Sequence, residues 1–209
     1  MSSLTLARAY RHSFETHPNL TLAAAGATLT AIGDAVAQTT QSFLEEDKNK
    51  HTRSYDFPRT IRFFCYGAVI SPIVGRWNKF LEVRFPLRSA NTPGRTSFRA
   101  VAKRVATDQI VMAPVGLAIF FSSMGVMEGR DRDHIVRKFR DLYVPALEAN
   151  WKVWPLAQLL NFSVIPLPYR VPFSQSCGVF WTLYLSLINS QENQSQERQD
   201  KMAEVVREK

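Results

Sequence analysis

Between Asn150 and Ser186 the chain combines features that a water-soluble core tolerates badly. Val153 to Tyr169 carries no charge and neither does Val171 to Gln191, so Arg170 alone interrupts two apolar runs. Yet amides (Gln158, Asn161, Gln175) and prolines (Pro155, Pro166, Pro168, Pro172) lie inside them. A bilayer protein accommodates both where neighbouring helices or a water-filled cavity satisfy the freed polar groups. Tryptophan and tyrosine near the ends of the runs fit the aromatic belt of a membrane interface.

The rest of the chain repeats the pattern. From Pro18 to Leu44 the only charge is Asp34, and Ala23, Ala27, Ala31 and Ala35 recur at every fourth residue beside Gly26 and Gly33. Small residues at that spacing let helix backbones approach closely in lipid. Phe63 to Gly75 is a second uncharged run, flanked by Arg62 and Arg76 and extended by Ile61, Trp77 and Phe80. Gln109 to Met127 is a third, long enough to span, with Pro114 placed to kink it. Glu128 to Asn150 is charge-balanced, and its stripe of Ile135, Val136, Phe139, Leu142, Tyr143 and Ala146 predicts an amphipathic helix on the surface.

The predicted fold is all-α: a polytopic transmembrane helical bundle with five apolar segments, of which about four are spans, with amphipathic helices beside them, as the family resemblance given below implies. The spans fall near residues 17–40, 59–81, 104–127 and 171–190. Trp151 to Pro168 reads as a short, proline-broken segment at or inside the membrane surface. One transmembrane domain covers 1–190, and a polar tail, frayed or disordered, covers 191–209. With four spans, both termini and the 76–104 loop share one side. The acid-poor first sixteen residues read either as a mitochondrial presequence or as an amphipathic lead-in lying on the membrane.

Mean hydropathy is only −0.15, because charge is segregated rather than absent. Of a net charge of +8, most lies between Arg76 and Arg104, where eight Lys/Arg face the single acid Glu82. Flanked by apolar segments, this reads as a loop facing anionic lipid. No nucleic-acid motif accompanies it, so nucleic acid is not expected as a direct partner. Cys65 and Cys177 have no metal or redox spacing and read as small buried hydrophobes, a disulfide between them being the alternative.

No catalytic constellation, cofactor motif or metal-ligand spacing is present, so an enzyme is not expected. The notable polar groups are those embedded in apolar context: Asp34, Gln38, Asp108, Gln109, Gln158, Asn161, Arg170 and Gln175. Each amide alone is compatible with interhelical hydrogen bonding. The set is compatible with a small water-filled path. Asp34 either faces the bundle interior or marks a helix end at the interface. Counted from His17 it lies roughly 25 Å along a helix at about 1.5 Å per residue, toward the far side. Asp108 starts its span, so the two carboxylates are expected at opposite mouths. Arg170 is expected to need backbone carbonyls or an acidic partner.

Asn150-Trp151-x-x-Trp154-Pro155-x-x-Gln158-x-x-Asn161-Phe162, then a proline, Arg170, and Trp181-x-x-Tyr184-Leu185-Ser186, resembles the C-terminal signature of the Mpv/PMP family. His17-Pro18 followed by Gly33-Asp34 and Gln38 is similar to its first span, and Asp108-Gln109 with Ala113-Pro114 to its third. Ser71-Pro72, Gly75 and Asn78 depart from the family's usual Gly-Pro, His and Tyr, so any role of that His does not transfer. The resemblance implies an integral protein of the mitochondrial inner membrane or, alternatively, the peroxisomal membrane. It implies a pore-like channel for small solutes contributing to mitochondrial homeostasis, the alternative being a non-conducting scaffold. The implied partner is the lipid bilayer; a homo-oligomer is left open.

Overall fold

The structure, a computed structural model, describes residues 3–46, 54–87 and 97–183. The polar tail, Tyr184 and part of the basic loop lie outside these residues. All regular elements described are helical. They are α1 (Ser3–Thr16), α2 (Pro18–Glu46), α3 (Phe57–Arg84), α4 (Phe98–Thr107), α5 (Ala113–Met127), α6 (Arg132–Val164) and α7 (residues 170–183). A π turn, Asp108–Met112, joins α4 to α5, and a 3-10 turn, Leu167–Tyr169, precedes α7.

Local chemistry sets the boundaries. Pro18 opens α2, where its missing N–H costs nothing. The Asp56 carboxylate caps α3 by accepting from Arg59 N, and Ser97 caps α4 by accepting from Ala100 N. At the end of α5, Gly129 takes a φ of +67°, open to glycine without strain. Gly129 N donates to Val126 O and Arg130 N to Gly125 O, a Schellman closure. Asp131 then caps α6 by accepting from His134 N.

α2 and α3 form an antiparallel pair, and small residues set how near they come. A Cβ on Gly26 would lie 1.7 Å from Ser71 Oγ, and one on Gly67 would lie 2.5 Å from Gly26 O. Thr30 Oγ1 donates across the seam to Phe63 O at 2.9 Å. The residues of α2 that face α3 are therefore Leu22, Gly26, Thr30, Asp34 and Gln38, one per turn. This stripe lies beside the alanine ladder, of which only Ala27 is fully buried.

Two elements differ from the sequence expectation. The segment from 128 to 168 is not a surface helix followed by a broken one: α6 runs unbroken for 33 residues through Pro145 and Pro155. Each proline deletes one bond of a long ladder, and packing against α4, the π turn and α5 holds the helix on both sides of them. The helix stops at Val164, because Ile165 precedes Pro166 and adopts an extended ψ of 123°. At Pro114 the chain makes a π turn, in which Ala113 N reaches back five residues to Asp108 O. The inserted residue lets the ladder pass the missing N–H.

Two stretches, Pro18–Phe43 and Phe98–Met127, are long and apolar enough to cross a membrane. The expected 59–81 span lies within α3, whose apolar run is cut by Arg76, Asn78 and Lys79. Large apolar side chains such as Val69, Ile110, Leu156, Val164 and Phe180 are exposed, while Asp34, Asn78, Arg104, Asp108, Asn161 and Arg170 are buried. A polar interior beneath an apolar surface is the distribution that lipid, rather than water, selects.

Candidate functional site

The π turn carries the chemistry. It directs two consecutive side chains inward, leaving Asp108 and Gln109 4% and 8% exposed. Asp108 Oδ1 accepts from Trp77 Nε1 of α3 at 2.9 Å. Its Oδ2 accepts from Gln109 Nε2 and from Gln158 Nε2 of α6, both at 3.0 Å. The donors come from three elements and all are neutral. From Gln158 the network continues: Asn161 Nδ2 donates to Gln158 Oε1 at 2.9 Å and to Ser174 Oγ of α7 at 3.0 Å. Gln175 Nε2 donates to Ser71 Oγ beside Pro72, at 3.3 Å.

Asp108, Gln109, Gln158, Ser174 and Gln175 border a cavity of about 270 Å³ between α3, the π turn, α5, α6 and α7. Its polar lining is Asp108, Gln109, Asn150, Gln158, Ser174 and Gln175, and Trp154, Tyr66 and Phe120 supply aromatic walls. Gln109 Oε1 and Asn150 Oδ1 are buried without a protein partner. Acceptors in a polar space of that size call for water or a polar solute.

Asp34 and Gln38 belong to a separate cluster where α2 meets the start of α3. Asp34 Oδ2 accepts from Gln38 Nε2 and Thr60 Oγ1, both at 2.7 Å. Its Oδ1 lies 2.8 Å from Arg59 Nε as an ion pair. The Gln38 amide also exchanges two bonds with the Asp56 backbone, donating at 3.1 Å and accepting from Asp56 N at 2.8 Å. Thr60 and Trp77, the α3 contacts of the two carboxylates, are seventeen residues apart, about 26 Å along a helix. The two sites therefore occupy opposite ends of α3.

A third cluster surrounds Arg170, which is 3% exposed. Its Nη1 lies 2.8 Å from Glu82 Oε2, its Nε donates to Ile165 O at 3.1 Å, and its guanidinium stands over the Phe162 ring. Arg104 Nε donates to Phe85 O at 2.9 Å in the same region. Arg104 thus departs from the reading of a loop facing lipid: it is 1% exposed. Its position on the inward stripe of α4, beside Val101, buries it.

The cysteine reading also needs correction. Cys65 is exposed, on the outer face of α3, and Cys177 is half-buried; both are free. Among the signature residues, Trp154 lines the cavity, Trp151 Nε1 donates to Gln109 O at 3.0 Å, and Pro155 lies within α6. Trp181 is half-buried on α7.

Sequence reasoning missed Trp77, Arg59, Thr60, Asn150, Ser174 and Glu82. Two of these left a signal: Glu82 as the only acid among the bases of 76–104, and Asn150 as the first residue of the family signature. The N-terminal helix was also read only locally. Tyr10 OH donates to Pro168 O at 2.7 Å and its ring stacks on Tyr169, docking α1 on the 3-10 turn.

The family model described as Mpv17 / PMP22 family matches residues 125–186, which take in α6, the 3-10 turn and α7. Protein SYM1 of Saccharomyces cerevisiae is 37% identical over 188 residues, covering 90% of this chain and 91% of its own. Protein sym1 of Schizosaccharomyces pombe is 35% identical, covering 90% and 94%. Protein SYM1 of Gibberella zeae is 38% identical, covering 88% and 97%. No solved structure matches.

Proposed function

The chain belongs to the Mpv17 / PMP22 family, a membrane family, and from that premise we propose that it forms a pore-like passage for small solutes across an organelle membrane. The observation that carries this reading is the cavity beside the π turn, an open pocket whose largely apolar lining carries six polar side chains. There a buried carboxylate with only neutral donors, and two acceptors without protein partners, stand within a bundle that exposes many large apolar side chains. Polar groups gathered in such a pocket are what a water-filled path requires.

The membrane we assign is the mitochondrial inner membrane, with the peroxisomal membrane as the alternative. The acid-poor, amphipathic α1 supports this reading. In this reading α2 and the α4–α5 stretch span the membrane, α3 is a third span whose exposed Arg76, Lys79 and Arg84 lie toward its C-terminal end, and α7 starts a fourth.

Purified protein in planar bilayers tests the proposal. Discrete conductance steps support the passage; reconstituted, folded protein that passes no current, both as wild type and with the Phe120 ring removed, returns the family's interior amides to a purely structural role.

A further inference from the structure

We propose that Phe120 is the gate of this passage, an inference that rests on the pore reading and adds a regulatory element to it. A second cavity, of about 570 Å³, opens at the Asp34 end of the bundle. Its charged rim comes from Asp56, Arg59 and Arg62 around the start of α3, Glu128 and Arg130 of the turn between α5 and α6, and Lys138 of α6. Phe120 of α5 borders both this outer cavity and the inner cavity of Asp108.

The boundary between them is aromatic. The Phe120 ring meets Tyr66 edge-on at 5.3 Å and Phe63 at 6.0 Å. Phe63 borders the outer cavity and Tyr66 the inner one, and they are neighbours one turn apart on α3. The partition is therefore about one helical turn thick and aromatic, with the charged-rimmed cavity on one side and the amide-bearing cavity on the other. A constriction of aromatic faces along a water path excludes water and ions until it widens, which is gating by dewetting.

The structure also offers the ring somewhere to go. A helical side chain leans toward the N-terminus of its own helix, over the residue four positions earlier. For Phe120 that residue is Gly116, which lines the inner cavity, and a Cβ built there meets nothing within 4 Å. A rotation of the Phe120 ring further over Gly116 takes it out of its contacts with Phe63 and Tyr66 and thins the partition between the two cavities.

Two variants test this in planar bilayers, with inserted protein quantified for each. Phe120→Ala removes the partition and should raise unitary conductance or open probability at least about threefold. Gly116→Leu fills the space the ring needs and should lower open probability by a similar factor. Phe180→Ala, which removes an exposed ring from α7, should match wild type. Wild-type conductance with both Phe120→Ala and Gly116→Leu unchanged overturns the gate and leaves the pore standing. A silent wild type made conducting by Phe120→Ala supports the gate. Silence in both overturns gate and pore together. If Phe120→Ala does not insert, Gly116→Leu decides alone.

Discussion

Arg170 Nη1 and Glu82 Oε2 lie 2.8 Å apart although 88 residues separate them in the chain. The pair fastens the start of α7 to the end of α3. Glu82 is also the acid nearest two buried guanidinium groups, since Arg104 Nη2 approaches its backbone carbonyl at 3.5 Å. Removing Glu82 therefore leaves two inward cations without their counter-charge. Glu82→Gln should destabilise the fold by about 2 kcal/mol, below the 3–5 kcal/mol of a fully buried pair because Glu82 is 42% exposed. Arg170→Leu should lower the amount of folded, membrane-inserted protein. Thermal unfolding in detergent and quantification of inserted protein check both; unchanged abundance of Arg170→Leu with altered conductance would make Arg170 a pore residue instead.

The α2–α3 seam makes a separate prediction. At Gly67 an added methyl meets backbone, at 2.5 Å from Gly26 O, so only a helix displacement makes room. Gly67→Ala should cost about 1–3 kcal/mol. At Gly116 the same substitution meets open space and should stabilise by up to about 1 kcal/mol, because it replaces a helical glycine. Melting temperatures that move in the same direction for both would contradict this account of the seam.

The two buried carboxylates, Asp34 and Asp108, should answer differently to neutralisation. Asp34 already has a cation, Arg59, at 2.8 Å, whereas the donors to Asp108 are the neutral Trp77, Gln109 and Gln158. Asp108→Asn should shift the reversal potential of the conductance. Asp34→Asn should leave ion preference unchanged and reduce inserted protein, because it frees Arg59 and weakens the clasp on Asp56. A reversal potential that moves with Asp34→Asn and not with Asp108→Asn would reverse these roles.

α1 docking should depend on pH only in the alkaline range. Burial, with a smaller contribution from the neighbouring Tyr169, pushes the Tyr10 phenol from an ordinary 10.0 up to about 12. The docked state thus holds the proton more tightly than the free phenol. Its contribution is fully present below 10.0 and is lost as pH rises toward about 12. A spectrophotometric titration should show a phenol ionising near 12 in wild type that is missing in Tyr10→Phe.

Which parts of this were legible follows from what kind of signal each part leaves. Uncharged runs and caps are local, so α2 and the α4–α5 stretch could be read directly, and the family signature located the α6–α7 region. Pro155 misled because the cost of a proline is local, whereas the packing that keeps α6 continuous is tertiary. Asp108, Gln109, Gln158 and Gln175 stood out as polar groups in apolar runs, and the cavity gathers them. Trp77 and Ser174 did not, because a tryptophan near an interface and a serine within an apolar run are unremarkable until a neighbour is known. The same holds for Phe120, one aromatic among many until its position between two cavities is seen.

Water access to the cavity beside Asp108 is the most direct test of the whole account. In a background with Cys65 and Cys177 replaced by Ala, single cysteines are placed at Ser174 and Gly116, which line the cavity, and at Leu156, exposed on the apolar surface of α6. The reconstituted variants are treated with a charged, membrane-impermeant thiol reagent. The account predicts that Ser174→Cys and Gly116→Cys react at least about tenfold faster than Leu156→Cys, because only ionised thiolates in contact with water react readily. Equal, slow reaction at all three positions would mean that the cavity is dry, and would contradict the passage.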